Sequence, residues 1–391
     1  MRWYHSQMTQ YHIAINGFFW DKPTVGVGQY VHGLVTALAT FPDLRITLYV
    51  PADTTPPTAP GGVTITRLRS PFSGRSKNMA KVMFEQLAIP AAARLDQVDL
   101  IHVPYFAPPL SSRIPVITTI PDLIPLTRPA YRGSLRVRAY TALVQRAARN
   151  SARLLAISTT VADDAARLLG HARGDIDVTY LAADPIYQPD QSTDDIRTRY
   201  HLPASYIYYV GGHDERKNVS TVIRAYAALP SLLRQQYPLV IAGKAVGTNP
   251  VLFPDIDALI VQLGIAADIH RIEVTRDDNP AVYGGAACFV YPSCDEGFGL
   301  PPLEAMACRT AVIASHAACM PEVLGDAALL VDPFDISAWT DALTKVLSDA
   351  VLRDSLVTAG SVRAAMYSYQ RTAAATHAAY MRVIAGQRGQ A

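Results

Sequence analysis

Short apolar runs alternate with longer helical patterns along this chain, and halfway the series starts again. Residues 12–16, 46–50, 100–103, 116–120 and 154–158 read as a first set of strands. After a proline-punctuated stretch from 182 to 203, a second set follows at 206–210, 239–242, 269–273, 287–291, 311–314 and 328–331. Apolar strands separated by helices pair in parallel and need a layer of helices on each face. The expectation is therefore α/β: two doubly wound domains, 1–185 and 186–368, joined near 182–203. A ligand is expected in the cleft between them, outside the carboxyl ends of the strands. At 391 residues, half of them hydrophobic, the chain is long enough to fill two such cores.

Charge narrows the function. With 35 basic against 33 acidic residues, the chain has no overall basic surplus to bind nucleic acid. Cys288, Cys294, Cys308 and Cys319 show neither a CxxC pair nor zinc-ligand spacing, and read as buried thiols of a reducing cytosol. No run reaches the 18 apolar residues of a membrane span, and the opening Met1–Gln7 lacks the apolar centre of a signal peptide. A short extension is expected over 1–10, and a low-complexity loop over 51–63.

Three segments carry chemistry. Gly26-Val27-Gly28 stands between the first strand and a helical run, without the third glycine or the later acid of a dinucleotide fingerprint. It reads either as a plain turn or as a loop facing phosphate or acceptor. Gly211-Gly212-His213-Asp214-Glu215-Arg216-Lys217-Asn218 follows strand 206–210 directly. Its adjacent cations are placed to hold a diphosphate, the bland alternative being a solvated helix start with Asn218 as N-cap.

The third is Glu296-Gly297-Phe298-Gly299-Leu300-Pro301-Pro302-Leu303-Glu304. Glycines allow close approach of backbone amides to a ligand, and the prolines suit the opening turn of a helix, whose N-terminus attracts anions. A sugar joined to phosphate fits this sequence. Two carboxylates also suggest a glycosidase, but Glu304 in the first helical turn is better placed to grip hydroxyls than to protonate a leaving group.

With Glu296 and Glu304 in an E-x7-E motif, the chain resembles the retaining GT-B glycosyltransferases of family 4, the bacterial hexosyl- and mannosyltransferases. The resemblance is collinear over nearly the whole chain: Glu85-Gln86-Leu87 with Pro90, His102-Val103-Pro104, Asp122-Leu123-Ile124-Pro125-Leu126, Ile157-Ser158, Arg216-Lys217-Asn218, Met320-Pro321-Glu322-Val323 with Gly325-Asp326-Ala327-Ala328, and Tyr367-Ser368-Tyr369. It implies the GT-B fold, with an acceptor-binding domain, a nucleotide-sugar domain and a final helix, 369–391, that includes Tyr380 and crosses back to the first domain.

By the same resemblance, Arg216 and Lys217 bind the donor diphosphate and Gly212 lines that loop. Glu304 holds the ribose and Glu296 lies beside the transferred sugar. The amides of Gly297, Phe298, Gly299 and Leu300 contact sugar and phosphate, Val274 and Thr275 frame the base, and Gly26 and Gly28 cover donor and acceptor. One departure stands out. Many relatives have His-Asp where this chain has Pro121-Asp122, and proline neither donates a hydrogen bond nor takes a proton. Asp122 and His102 are the acceptor-side substitutes, Asp122 also counting among the catalytic candidates.

The implied reaction moves a hexose from a nucleotide diphosphate donor, GDP-mannose or a UDP-sugar, to a hydroxyl of a glycan or lipid-linked acceptor with retention, in cell-surface polysaccharide or glycolipid synthesis. Negative charge on the departing diphosphate falls to Arg216, Lys217 and the helix start near Pro301, without metal or cofactor. With no nucleophile evident on the opposite sugar face, the acceptor is expected on the face that the phosphate leaves, a donor phosphate oxygen serving as base. A non-catalytic sugar-nucleotide-binding protein and a nucleotide-sugar epimerase are the alternatives.

One peripheral feature remains. Between 123 and 162 there is no Asp or Glu, but Arg128, Arg132, Arg136, Arg138, Arg146, Arg149 and Arg153 are present. From 132 onward, at about 100° per residue, they share one helical face, although Gly133 weakens the register. Such a face is either solvated or meets anionic lipid, which would place a cytoplasmic protein at the inner surface of the membrane.

Overall fold

The computed structural model describes residues 10–55, 57–74, 76–189, 194–243, 247 and 249–388, apart from the side chains of 132 and 388. The expected N-terminal extension lies, up to residue 9, outside the described residues. The chain divides into two units, Met1–Leu181 with Tyr369–Ala391, and Ala182–Ser368.

The first unit holds β1 (Tyr11–Asn16), β2 (Leu44–Pro51), β3 (Val63–Leu68), β4 (Leu100–Val103), β5 (Val116–Ile120), β6 (Arg153–Ala156) and β7 (Ile176–Val178). They form one parallel sheet in the order β3-β2-β1-β4-β5-β6-β7. The second holds β8 (Ile207–Val210), β9 (Leu239–Ala242), β10 (Ile269–Ile272), β11 (Cys288–Tyr291), β12 (Val312–Ser315) and β13 (Leu329–Val331), also parallel, in the order β10-β9-β8-β11-β12-β13. β4, β5, β9, β11 and β12 are buried at every residue because helices cover both faces of each sheet. Both sheets reverse their winding beside the first strand, between β1 and β4 and between β8 and β11. There the crossovers part and leave room for a ligand at the strands' carboxyl ends.

Beneath β8, β9 and β11, Val222, Ile223 and Tyr226 of the helix Val219–Ala227 pack with Trp339, Leu343 and Val346 of the helix Ile336–Ser348, all essentially buried. Emptying one such site, for example Leu343→Ala, costs about 2–5 kcal/mol. Cys288, Cys308 and Cys319 are buried and Cys294 is half-buried, all as free thiols. Burial pushes Cys288 and Cys308 up to about 12.

Three expectations change. β3 and β7, at the sheet edges, were not apparent as strands, and the low-complexity loop ends where β3 begins. The stretch expected as a linker belongs to the second unit: Tyr187 and Ile196 are buried, and Asp184 pairs with Arg276. Gly133, at φ +58°, stands outside the helix Leu135–Ala148, and the arginine series does not lie on one face. Arg136, Arg138, Arg146 and Arg149 are exposed, but Arg153 sits in β6, where its guanidinium is held by Asp177 and Asp175.

The last helix, Tyr369–Arg388, packs on the first unit. The Tyr369 ring covers Gly33 so closely that a Cβ there would fall 2.3 Å from it. Thr372 donates to the Tyr180 carbonyl at 2.6 Å. His377 stacks on Phe41, centroids 4.6 Å apart, and reaches Asp43 at 2.8 Å. Arg382 pairs with Asp177 at 2.7 Å.

Candidate active site

At the switch point of the second sheet, the chain leaves β8 through Gly211 and Gly212 and makes a 3-10 turn, Glu215–Lys217. The Gly212 carbonyl accepts from the Tyr209 hydroxyl at 2.7 Å. Gly243, at φ +103°, lies so near the Gly211 carbonyl that a Cβ would come within 2.2 Å of it. Asn218 then adopts a left-handed conformation, φ +52°. It does not cap the next helix through its side chain. Its amide instead donates to the carbonyls of Pro333 at 2.6 Å and Pro292 at 3.3 Å, and its Oδ1 accepts from Thr221 at 2.8 Å. Asn218 thereby joins the turn after β8 to those after β11 and β13, and so positions Arg216 and Lys217.

Both cations meet Glu296. Its Oε1 accepts from Lys217 Nζ at 2.6 Å, Arg216 Nη1 at 2.9 Å, Ser293 Oγ at 2.6 Å and the Tyr291 hydroxyl at 2.9 Å. Burial alone would raise this carboxyl, but Lys217, Arg216 and the hydrogen bonds of Lys217 and Ser293 outweigh it and bring it down to about 2. Arg216 also donates to the Asp295 carbonyl at 2.6 Å, and Lys217 lies 5.2 Å from the centre of the Tyr291 ring. Asp214 also pairs with Arg216, Oδ1 to Nε at 3.4 Å, so two carboxylates face the two cations.

The loop that follows is pinned by Phe298, which is buried edge-on against Tyr367 with centroids 5.6 Å apart. Gly297 and Gly299 are buried and Leu300 is half-buried. Gly299, at φ +87°, is the residue before the helix Leu300–Ala307, and Pro301 and Pro302 lie in its first turn. Glu304 therefore falls in the second turn, not the first. Its side chain is buried, with the Tyr283 hydroxyl donating to Oε2 at 3.1 Å. Burial raises it to about 7 against the hydrogen bonds of Tyr283 and Tyr187, with Asp184 adding a smaller upward push. The two carboxylates of the motif thus stand apart, one fixed as an anion and the other near neutrality at physiological pH. Such a split also occurs between the acids of glycosidases, yet Glu296 is held by two cations and Glu304 is shut in against tyrosines.

The other candidates are scattered. Val274 is half-buried and Thr275 exposed after β10. The Thr275 amide donates to the Tyr200 hydroxyl at 3.3 Å, and Tyr200 in turn donates to Asp278 at 2.7 Å. In the first unit Gly26 opens the helix Gly26–Leu38 with free space around its Cα, whereas at Gly28 a Cβ would fall 1.9 Å from the Lys22 carbonyl oxygen. Gly28 thus has a packing role. Asp122 Oδ1 accepts from the Ile124 amide at 3.1 Å, next to Pro121.

His102 does not offer its ring to an acceptor here. It is fully buried in β4, with Nε2 at 2.8 Å from Thr119 Oγ1 and Nδ1 at 2.6 Å from the Tyr380 hydroxyl. Burial lowers it to about 3, so it is neutral. Tyr291 and Ser293 hold Glu296 yet were not singled out from the sequence, and Asn218 was named there only as a possible N-cap and in the Arg216-Lys217-Asn218 motif. Tyr291 and Ser293 directly follow an apolar run, the one signal that could have marked them.

Comparison with known proteins shows the family and the fold. The family model described as Glycosyltransferase Family 4 matches residues 24–186, and that described as Glycosyl transferases group 1 matches 194–363. The chain is 31% identical over 269 residues to O-antigen chain mannosyltransferase B of Escherichia coli, covering 68% of this chain and 69% of that protein. It is 34% identical over 180 residues to the serotype-specific mannosyltransferase WbdA of Escherichia coli, but there the match spans 46% of this chain and only 22% of the relative. Its fold superposes on sucrose-phosphate synthase from Thermosynechococcus elongatus with a TM-score of 0.73 at 20% identity, covering 96% of this chain and 100% of the other. The chain belongs to family 4 of the glycosyltransferases, as a hexosyltransferase with the GT-B fold.

Proposed function

We propose that the protein transfers mannose, with retention, from a nucleotide diphosphate sugar to a hydroxyl of a growing glycan or lipid-linked acceptor in cell-surface polysaccharide synthesis. The observation that carries this reading is the convergence of Arg216 and Lys217 on Glu296 at the β8/β11 switch point, ahead of the helix start at Leu300. In this reading the two cations take the charge of the departing nucleoside diphosphate and a metal is not required. Glu304 accepts from the ribose, and Val274 and Thr275 frame the base. The likeness to the O-antigen mannosyltransferase favours mannose, and GDP-mannose is the first donor to test, ahead of UDP-sugars.

A thermal-shift screen of GDP-, UDP- and dTDP-sugars identifies the donor, because a ligand at 100 times its Kd adds about 2.7 kcal/mol to stability. Proton NMR of the product then gives its anomeric configuration. A product inverted relative to the donor sinks the retaining mechanism, and activity lost in EDTA sinks the metal-free one. Nucleotide release from a single donor without acceptor, measured beside sugar isomerisation, separates transfer from epimerisation.

In this reading the helix Leu135–Ala148 also touches anionic lipid. Arg136, Arg138, Arg146 and Arg149 are exposed beside Leu135 and Val137, which are 80% and 43% exposed. No helix among the described residues is long and apolar enough to cross a membrane, so the contact is peripheral. Flotation with anionic vesicles at low salt tests it, and absence of binding overturns it.

A further inference from the structure

The switch point of the first sheet carries a second cluster of polar and aromatic groups that the donor site does not use. Asn16, at the end of β1, donates to the Tyr105 hydroxyl at 2.9 Å, and Tyr105 donates to Glu85 Oε1 at 2.8 Å. Glu85 is buried in a π-helical turn, Phe84–Ala88. It also accepts from the Tyr140 hydroxyl at 2.8 Å and pairs with Lys81 at 3.1 Å. Above this network the loop after β1 is fixed by sterics. At Gly17 a Cβ would meet Leu48, Tyr49 and Val50 at 2.8–2.9 Å, and the Lys22 carbonyl fills the space that a Cβ of Gly28 would need.

The loop presents half-buried Phe18 and Phe19, edge-to-face at 5.3 Å, with Phe19 edge-to-face on Tyr105 at 5.0 Å. Lys22 Nζ lies 4.8 Å from the centre of the Phe18 ring and 5.5 Å from that of Phe19. Lys81 Nζ lies 5.5 Å from the same Phe18 ring. The two lysines differ in one respect. Lys81 is matched by buried Glu85, whereas exposed Lys22 makes no ion pair among the described residues. Aromatic rings hold an ammonium in place without neutralising it, so the charge on Lys22 stays available to a ligand.

We infer that Lys22, seated on Phe18 and Phe19 with Lys81 beside them, binds an anionic group of the acceptor, a phosphate attached to a sugar. The inference rests on the reading of the chain as a glycosyltransferase whose first unit receives the acceptor. Phosphate meets the ammonium through charge-assisted hydrogen bonds, and the half-buried rings offer an apolar face to the sugar. Glu85 is a positioning residue that holds Lys81, Tyr105 and Tyr140.

Calorimetric titration without donor tests this, using mannose 1-phosphate, methyl α-mannoside and inorganic phosphate on the wild type, Lys22→Met and Lys217→Ala. We expect mannose 1-phosphate to bind the wild type about tenfold more tightly than either other probe, and Lys22→Met to lose that preference. Lys217→Ala is expected to keep it, because the site lies in the first unit. Inorganic phosphate binding as tightly as the sugar phosphate overturns the sugar part of the inference. A preference that survives Lys22→Met, or that disappears with Lys217→Ala instead, overturns all of it. Donor-dependent nucleotide release by the wild type reports on the glycosyltransferase reading separately, so the two can fail independently.

Discussion

Lys217 Nζ lies 2.6 Å from Glu296 Oε1, closer than any other cation approaches that oxygen. In the proposed reading the chain thus answers part of the positive charge meant for phosphate before a donor arrives, and an entering diphosphate competes with a carboxylate already in place.

Lys217→Ala is expected to lower kcat/KM roughly 100- to 1,000-fold through loss of charge stabilisation in the transition state. The fold persists, since Arg216 still faces Glu296, and stability falls by about 1–3 kcal/mol. Steady-state kinetics with circular dichroism checks both, and near-normal turnover refutes the assigned role.

Glu296→Gln separates binding from turnover. With the carboxylate neutral, Lys217 loses its anionic partner while Arg216 keeps Asp214, so the nucleoside diphosphate is expected to bind at least as tightly as to the wild type while kcat falls. Folded Glu296 stays ionised down to about 2 against an ordinary value of 4.5. Its contribution to stability is therefore full above about pH 4.5 and is lost as pH falls towards 2, and Glu296→Gln removes that acid limb from denaturant titrations.

Glu304 has the opposite sign. Its folded carboxyl is raised from 4.5 to about 7, so the native state holds the proton more tightly than the unfolded one. Stability contributed by this group declines as pH rises from about 4.5 to 7, by on the order of 3 kcal/mol. Glu304→Gln removes the decline and is more stable than the wild type at pH 8 but not at pH 4. A carboxylate accepts from ribose more strongly than a carboxylic acid. The donor KM is therefore expected to fall as pH rises through 7 in the wild type and to stay flat in the variant.

His102→Ala tests whether this histidine is structural. Both ring nitrogens are bonded inside the first unit; removal of the ring leaves a cavity and takes a partner from the Tyr380 hydroxyl, while Thr119 keeps Tyr30 at 3.0 Å, at a cost of about 2–4 kcal/mol. Kinetic constants below the melting temperature are expected to change less than twofold. With the folded value near 3 against 6.5, the wild type loses stability as pH falls from 6.5 to 3 because only the unfolded chain takes the proton. That slope is expected to vanish in the variant.

Both sheets could be read from the chain because strands covered on both faces must be continuous apolar runs, and β4, β5 and β9 stand where such runs stood. β3 escaped because an edge strand beside solvent alternates, and Thr64 and Arg67 interrupt the pattern. At the candidate site, the spacing of Glu296 and Glu304 pointed to a ligand loop as an expectation, but not to which way each carboxylate points. That depends on groups from other segments, Tyr187 and Tyr283 for Glu304 and the cations Arg216 and Lys217 for Glu296. His102 looked available because it belongs to a recognisable motif, but its two ring nitrogens are taken by Thr119 and by Tyr380, the latter 278 residues further on.

The seat of Tyr369 on Gly33 has a consequence for biosynthesis. The first unit is an interrupted one: its sheet leaves the ribosome early, but the helix that covers Gly33 and satisfies His102 is made only after the whole second unit. During translation the second unit can close on its own while the first waits, its apolar helix-binding surface open to chaperones or to neighbouring chains. A ribosome stalled before Tyr369 would hold a finished second unit tethered to an unfinished first one.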